Sequence, residues 1–120
     1  MAKLVGYIRQ NIIDLLELKC AADTPIYLGN SNIQHMQNSH PFDYKIYGDE
    51  IPDIIASPDY ISLNKDGSIE YIKEFKIDNN FVKVAVRVTP SGTYYARTIY
   101  VINAKRVQDY IAKGTLKKID

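Results

Sequence analysis

Between residues 81 and 101 the side chains alternate so regularly that an antiparallel hairpin is the natural way to accommodate them. Val82, Val84, Val86 and Val88 alternate with Phe81, Lys83, Ala85 and Arg87, a period of two that sends four valines to one side of a strand and two cations to the other. Pro90, Ser91 and Gly92 supply a turn, and a second strand follows with Tyr94, Tyr95, Arg97, Thr98 and Tyr100. One face is expected to be core, the other free to do chemistry.

Two more turns precede this hairpin. Asn64, Lys65, Asp66 and Gly67 suit a type I turn with a left-handed glycine, joining strands at 60–63 and 69–77. Asn79 and Asn80 suit a two-residue turn, because asparagine tolerates positive φ. The result is a four-stranded antiparallel β-meander. In its register Ile77 faces Val82 and Phe75 faces Val84, so Ile69, Tyr71, Phe75 and Ile77 join the valines, with Lys73 unexplained among them. A three-residue bulged loop at the last turn sets Arg87 against Tyr95 and Ala85 against Arg97. This gathers Lys83, Arg87, Tyr95, Arg97 and Glu74 on the open face and turns Arg97 and Thr98 to opposite faces.

The flanks read as helical. Leu4, Ile8, Ile12, Leu15 and Leu16 predict an amphipathic helix over residues 1–20, an addition to a core at 26–118. Cys20 falls at its end as a lone, buried thiol without a disulfide partner. After the short apolar run 26–28, Asn30 or Ser31 caps a helix over 32–39, limited by Pro41. Residues 42–47 read as an aromatic loop and 49–56 as a helix with Pro52 in its first turn. A last helix, 104–113, stops at Gly114. The fold class is therefore α+β, a single domain over 1–120 in which N-terminal helices pack on the meander and a C-terminal helix closes it. Its 120 residues can bury a core without disulfides or metal. A formal charge of +1 gives no whole-molecule attraction for nucleic acid, so any anion site must arise from local clustering. Asp14 and Glu17 interrupt the first apolar run, so neither a signal peptide nor a transmembrane segment is expected, and the cytoplasm is the expected location.

His35 and His40 are the side chains whose unperturbed titration falls near neutral pH, and proton transfer would look to them first. Histidines on a short polar helix are more often surface or capping residues. A zinc site is disfavoured by their five-residue spacing and by the lone cysteine. Lys83, Arg87 and Arg97, interleaved with tyrosines, suit a phosphodiester. An ordinary solvated face, with Glu70 and Glu74 paired to those cations, fits the spacing equally well. Phosphate-binding loops, dinucleotide fingerprints and the nucleophile elbow are absent from the sequence.

Three segments in order carry a family resemblance: Ile33, His35, Met36, His40 and Pro41; then Pro58, Asp59, Tyr60 and Ile61; then Tyr95, Ala96, Arg97, Thr98 and Tyr100. With helices ahead of a meander, the chain resembles the phage-associated members of the barnase, EndoU, colicin and RelE-like nuclease superfamily. The resemblance implies metal-independent endoribonuclease activity without a cofactor. It also implies RNA as substrate, tRNA included, and a toxin held by an immunity or antitoxin protein or delivered into a target cell's cytoplasm. Carried over, His35 or His40 is the general acid or base at the ribose 2′-hydroxyl and the leaving 5′-oxygen. Arg97 and Thr98 stabilise the transition-state phosphate, and Lys83, Arg87 and Tyr95 hold the flanking substrate. Glu74 is a carboxylate base in reserve. The alternative is a non-catalytic phage-associated module that binds RNA or protein on the same fold.

Overall fold

A computed structural model describes residues 2–119. The alternating stretch forms the longest strands, β5 (Asn80–Val88) and β6 (Tyr94–Ile102). The Gly92 N–H donates to the Thr89 carbonyl across their turn, and Gly92 holds φ +92°, a conformation a Cβ would strain. Upstream, β3 (Tyr60–Leu63) and β4 (Ile69–Phe75) are joined by the Asn64 turn, where Gly67 plays the same part. The expected meander is present as consecutive neighbours β6-β5-β4-β3.

The sheet, however, has seven strands, in the order β1-β2-β6-β5-β4-β3-β7. Strands β1 (Lys3–Ile8) and β2 (Thr24–Leu28) extend it beyond β6, and β7 (Lys117–Lys118) pairs with β3 at the other edge. The first strand replaces the beginning of the expected first helix, leaving α1 (Gln10–Leu16). Leu4, Ile8 and Ile12 are spaced as on a helix, yet Val5 and Tyr7 stand between them, and pairing with β2 satisfies the backbone. Gly6 completes the explanation. It would weaken a helix by about 1 kcal/mol, whereas here a Cβ would meet Ile55 Cγ2 at 2.7 Å, so its absence lets α4 (Ile51–Ala56) press against β1. Cys20 lies in the loop after α1, half-buried.

Strand β2 runs parallel to β6 but pairs with it only at Ile26↔Tyr94 and Tyr27↔Tyr95. Past that point the β6 edge meets two helices, α2 (Asn30–Ser39) and α3 (Pro41–Tyr47). The latter occupies the expected aromatic loop: Pro41 stands in its first turn, where a missing N–H costs nothing, and Asp43 follows. The Asp43 carboxylate accepts the Val101 N–H at 3.0 Å, satisfying a donor that has no neighbouring strand. At the start of α2, Asn32 Oδ1 accepts the Gly29 N–H at 2.9 Å.

The β4–β5 connection corrects the register. The Asp78 N–H donates to the Phe75 carbonyl and Asn79 takes φ +55°, so the turn occupies residues 76–79 instead of two asparagines. Tyr71, not Phe75, faces Val84, a slip of four residues. An even slip preserves the faces, and Ile69 and Tyr71 are buried with Val82, Val84 and Val86 as expected, whereas Val88, beside the turn, is exposed. Ile77 is instead fully exposed in the turn, and Glu70 takes the place opposite Ala85 that the shorter turn assigned to Glu74. Lys73 finds its reason too. Its ammonium donates to the Ser57 carbonyl at 2.9 Å, capping the end of α4.

The main core lies on the valine face, where Val82, Val84, Val86, Ala96 and Ile99 pack with Ile8, Ile12, Met36 and Ile54. Burying each aliphatic side chain there contributes about 1.5–3 kcal/mol. The opposite face is not wholly free. Ile72, Phe81 and Ile102 form a second, smaller core under Val107 of α5 (Ala104–Ala112) and Leu116. Among the described residues no helix is long and apolar enough to cross a membrane.

Candidate nucleic-acid interface

The part of the second face that α5 does not cover is shaped by an irregularity in β6. Val86 pairs with Ala96 and Ala85 pairs with Thr98, so Arg97 is an extra residue opposite no partner, a β-bulge. Regular alternation would have put Arg97 and Thr98 on opposite faces. The bulge absorbs one residue, so Ala96 and Ile99 both enter the main core and Arg97 and Thr98 line one hollow on the other side.

That hollow has a volume of about 260 Å³ and is lined also by His35, Glu70, Arg87 and Tyr100. His35 reaches it from α2, whose rotation is set by Met36, the adjacent side chain, fully buried in the main core. Arg97 is exposed and, among the described residues, has no ion pair or side-chain hydrogen bond. Arg87 stands 3.8 Å from Asp66. The Ser68 backbone N–H and hydroxyl, and then the Arg87 charge, hold the Asp66 carboxyl below the usual range.

His40 does not line the hollow. It sits where Pro41 separates α2 from α3, and the break turns its ring onto Tyr100, stacked with centroids 5.1 Å apart and 23° between planes. It therefore meets the site through Tyr100. Lys83 is also displaced from its expected role. Only 8% exposed, it donates to Glu70 Oε2 at 3.0 Å and stands 5.2 Å from the Tyr100 ring centre, while the Ser62 hydroxyl donates to Glu70 Oε1 at 2.7 Å. Burial opposes the Lys83 charge, but the Tyr100 phenol and the Glu70 carboxylate outweigh it and hold its pKa above the ordinary lysine value. Lys83 faces a neighbouring hollow of about 260 Å³, with Arg106 and Tyr110. Tyr95 faces a third, larger hollow of about 680 Å³, shared with Asn32, Pro90 and both arginines.

The fold thus brings His35, Arg87, Arg97 and Thr98 together and sets His40, Lys83 and Tyr95 around them. Glu74 lies apart and lines none of the three hollows; its backbone N–H is taken by Asp59. The residue missing from the sequence reading was Glu70, seen there only as a cross-strand partner. The correct length for the turn after Phe75 would have revealed it. Among the described residues no three His, Cys, Asp or Glu side chains are grouped so as to hold a metal ion. What the hollow offers is an imidazole, an uncommitted guanidinium and a hydroxyl within one small space, whose two lining carboxylates, Asp66 and Glu70, are each paired with a cation.

Residues 3–109 match the family model described as phage-Barnase-EndoU-ColicinE5/D-RelE like nuclease3. No curated protein and no solved structure matches the chain.

Proposed function

The chain belongs to this phage family of Barnase-EndoU-ColicinE5/D-RelE-like nucleases, and from that premise we propose that it is a metal-independent endoribonuclease. The observation that carries the reading is the bulge at Arg97, which delivers a guanidinium and the Thr98 hydroxyl to the hollow that His35 lines. The ribose 2′-oxygen attacks phosphorus as the bond to the 5′-oxygen breaks. His35 takes the 2′-hydroxyl proton as general base, and the 5′-oxygen leaving on the opposite side of phosphorus takes its proton from solvent water, giving a 2′,3′-cyclic phosphate and a free 5′-hydroxyl. Arg97 and Thr98 hold the non-bridging oxygens as charge accumulates on them, and Arg87 holds a flanking phosphate. His40 positions Tyr100 by stacking on it, and the Lys83 ammonium, paired with Glu70, stands 5.2 Å from the centre of the same ring.

With its own nucleophile in the substrate, the reaction needs no metal. The purified chain should cleave a cellular RNA pool in the presence of EDTA, leave 2′,3′-cyclic phosphate ends and spare 2′-O-methylated RNA. Arg97→Ala should slow cleavage by about 10²–10³-fold. A wild-type chain that cuts no RNA, or that cuts DNA equally well, would overturn the proposal. Binding of RNA without any cleavage would favour the non-catalytic module. We read the activity as that of a toxin acting on RNA, tRNA included, in the cytoplasm and restrained by an immunity or antitoxin protein. Expression should then arrest growth, and Arg97→Ala should relieve the arrest.

A further inference from the structure

We infer that the open face binds single-stranded RNA across three consecutive hollows and that the hollow beside Tyr95 holds an unpaired nucleobase next to the scissile phosphate. The inference rests on the ribonuclease reading and names the form of its substrate. The three hollows form a row. Arg87 and Arg97 line both the large hollow and the central one, and Asn64, Glu70 and Tyr100 line both the central one and that of Lys83. A chain with its phosphate at Arg97 therefore runs on into a space on either side.

The two outer spaces differ in what they can hold. At about 680 Å³ the Tyr95 hollow falls within the common range for small-molecule pockets, about 300–1,000 Å³. Two guanidiniums line it and no carboxylate does. Its aromatic ring is half-exposed and braced by Tyr27, whose centroid lies 6.3 Å away at a 49° tilt. A rigid, partly wet ring beside two cations is the arrangement on which an unpaired base stacks while its phosphates are neutralised. In a duplex the base faces are already covered, so the same ring would have nothing to stack on. The hollow of Lys83 is weaker in this respect: its lysine is neutralised by Glu70, and the Arg106 guanidinium is engaged by the Tyr110 hydroxyl at 2.7 Å.

Asn32 adds a means of reading the base. Its Oδ1 is committed to the Gly29 N–H, leaving the carboxamide NH₂ as a donor at the edge of the Tyr95 hollow. That NH₂ donates only, so it pairs with a carbonyl or ring-nitrogen acceptor on the base edge and not with an exocyclic amino group.

The test is binding, separated from cleavage by labelled 2′-O-methyl oligonucleotides read by fluorescence anisotropy. Single strands should bind at least tenfold more tightly than a hairpin duplex of the same composition. Tyr95→Ala should weaken single-strand binding about 5- to 150-fold, and Tyr95→Phe should restore it. Asn32→Asp keeps the oxygen that caps Gly29 and removes the donor, so it should change the order of affinity among the four homopolymers. Equal affinity for duplex and single strand, or wild-type binding by Tyr95→Ala, would overturn the inference. A uniform loss across all four homopolymers in Asn32→Asp would overturn the base-reading part. Binding as described with no cleavage of unmodified RNA would sink the ribonuclease reading and leave the groove standing.

Discussion

The two ends of one sheet face have been given opposite work. At one end Ile72, Phe81 and Ile102 are sealed beneath Val107 and Leu116; at the other Arg87, Arg97 and Thr98 stand open beside His35. The same two strands build both ends. Along β5 the outward residues run Phe81, Lys83, Ala85, Arg87, from buried apolar, through a buried ammonium held by Glu70, to an exposed guanidinium. The contrast teaches how a small domain can separate stability from chemistry. A helix laid over half a face secures the strands, and the uncovered half can then carry cations that would weaken a core.

That division can be broken from either side. The largest effect should come from His35→Ala, which removes the imidazole of the open end. Cleavage of RNA should fall by about 10²–10⁴-fold, while thermal melting shows an unchanged midpoint. Phe81→Ala at the sealed end should do the reverse, costing about 3–5 kcal/mol in urea denaturation and leaving cleavage intact wherever the chain is still folded. Lys83→Met, at the boundary, should affect both. It leaves Glu70 without its ammonium and should cost about 1–3 kcal/mol, part of which Lys83→Met with Glu70→Gln recovers. The smallest effect separates the boundary from the core by pH. Because the Lys83 pKa is raised in the folded chain, the stabilisation from its charge is complete below the unfolded lysine pKa, about 10.4, and is lost as pH climbs through the folded value. The melting gap between wild type and Lys83→Met should therefore stay constant from neutrality to about pH 10 and narrow above it. A constant gap would show that Lys83 stabilises through its packed stem instead of its charge.

The valine alternation, the glycine turns at Gly67 and Gly92 and the α5 helix were legible because each is a local pattern with one physical solution. The first strand was not. The spacing of Leu4, Ile8 and Ile12 satisfies a helix on its own, and only the distant partner β2 decides otherwise. The same holds for α3, whose aromatic residues suggested a loop until Asp43 could be seen occupying the β6 edge. Site residues on one strand could be grouped from the sequence, and Arg87 does face Tyr95 as expected. Glu70 could not be placed, because two asparagines permit a short turn as readily as the four-residue one the chain adopts. The bulge was hidden for a related reason. Nothing local marks Arg97 as extra; the misfit appears only when the apolar residues on both sides of it must enter one core.

Arg97 is, in consequence, surplus to the architecture that displays it. Excised, it would let Ala96 and Thr98 occupy successive rungs opposite Val86 and Ala85, and every later residue of β6 would keep its present neighbour. Most single-residue deletions within a strand turn the remainder inside out. Here a deletion would straighten the ladder, preserve the interior and strip away the guanidinium alone, so this sheet carries its cation as a passenger.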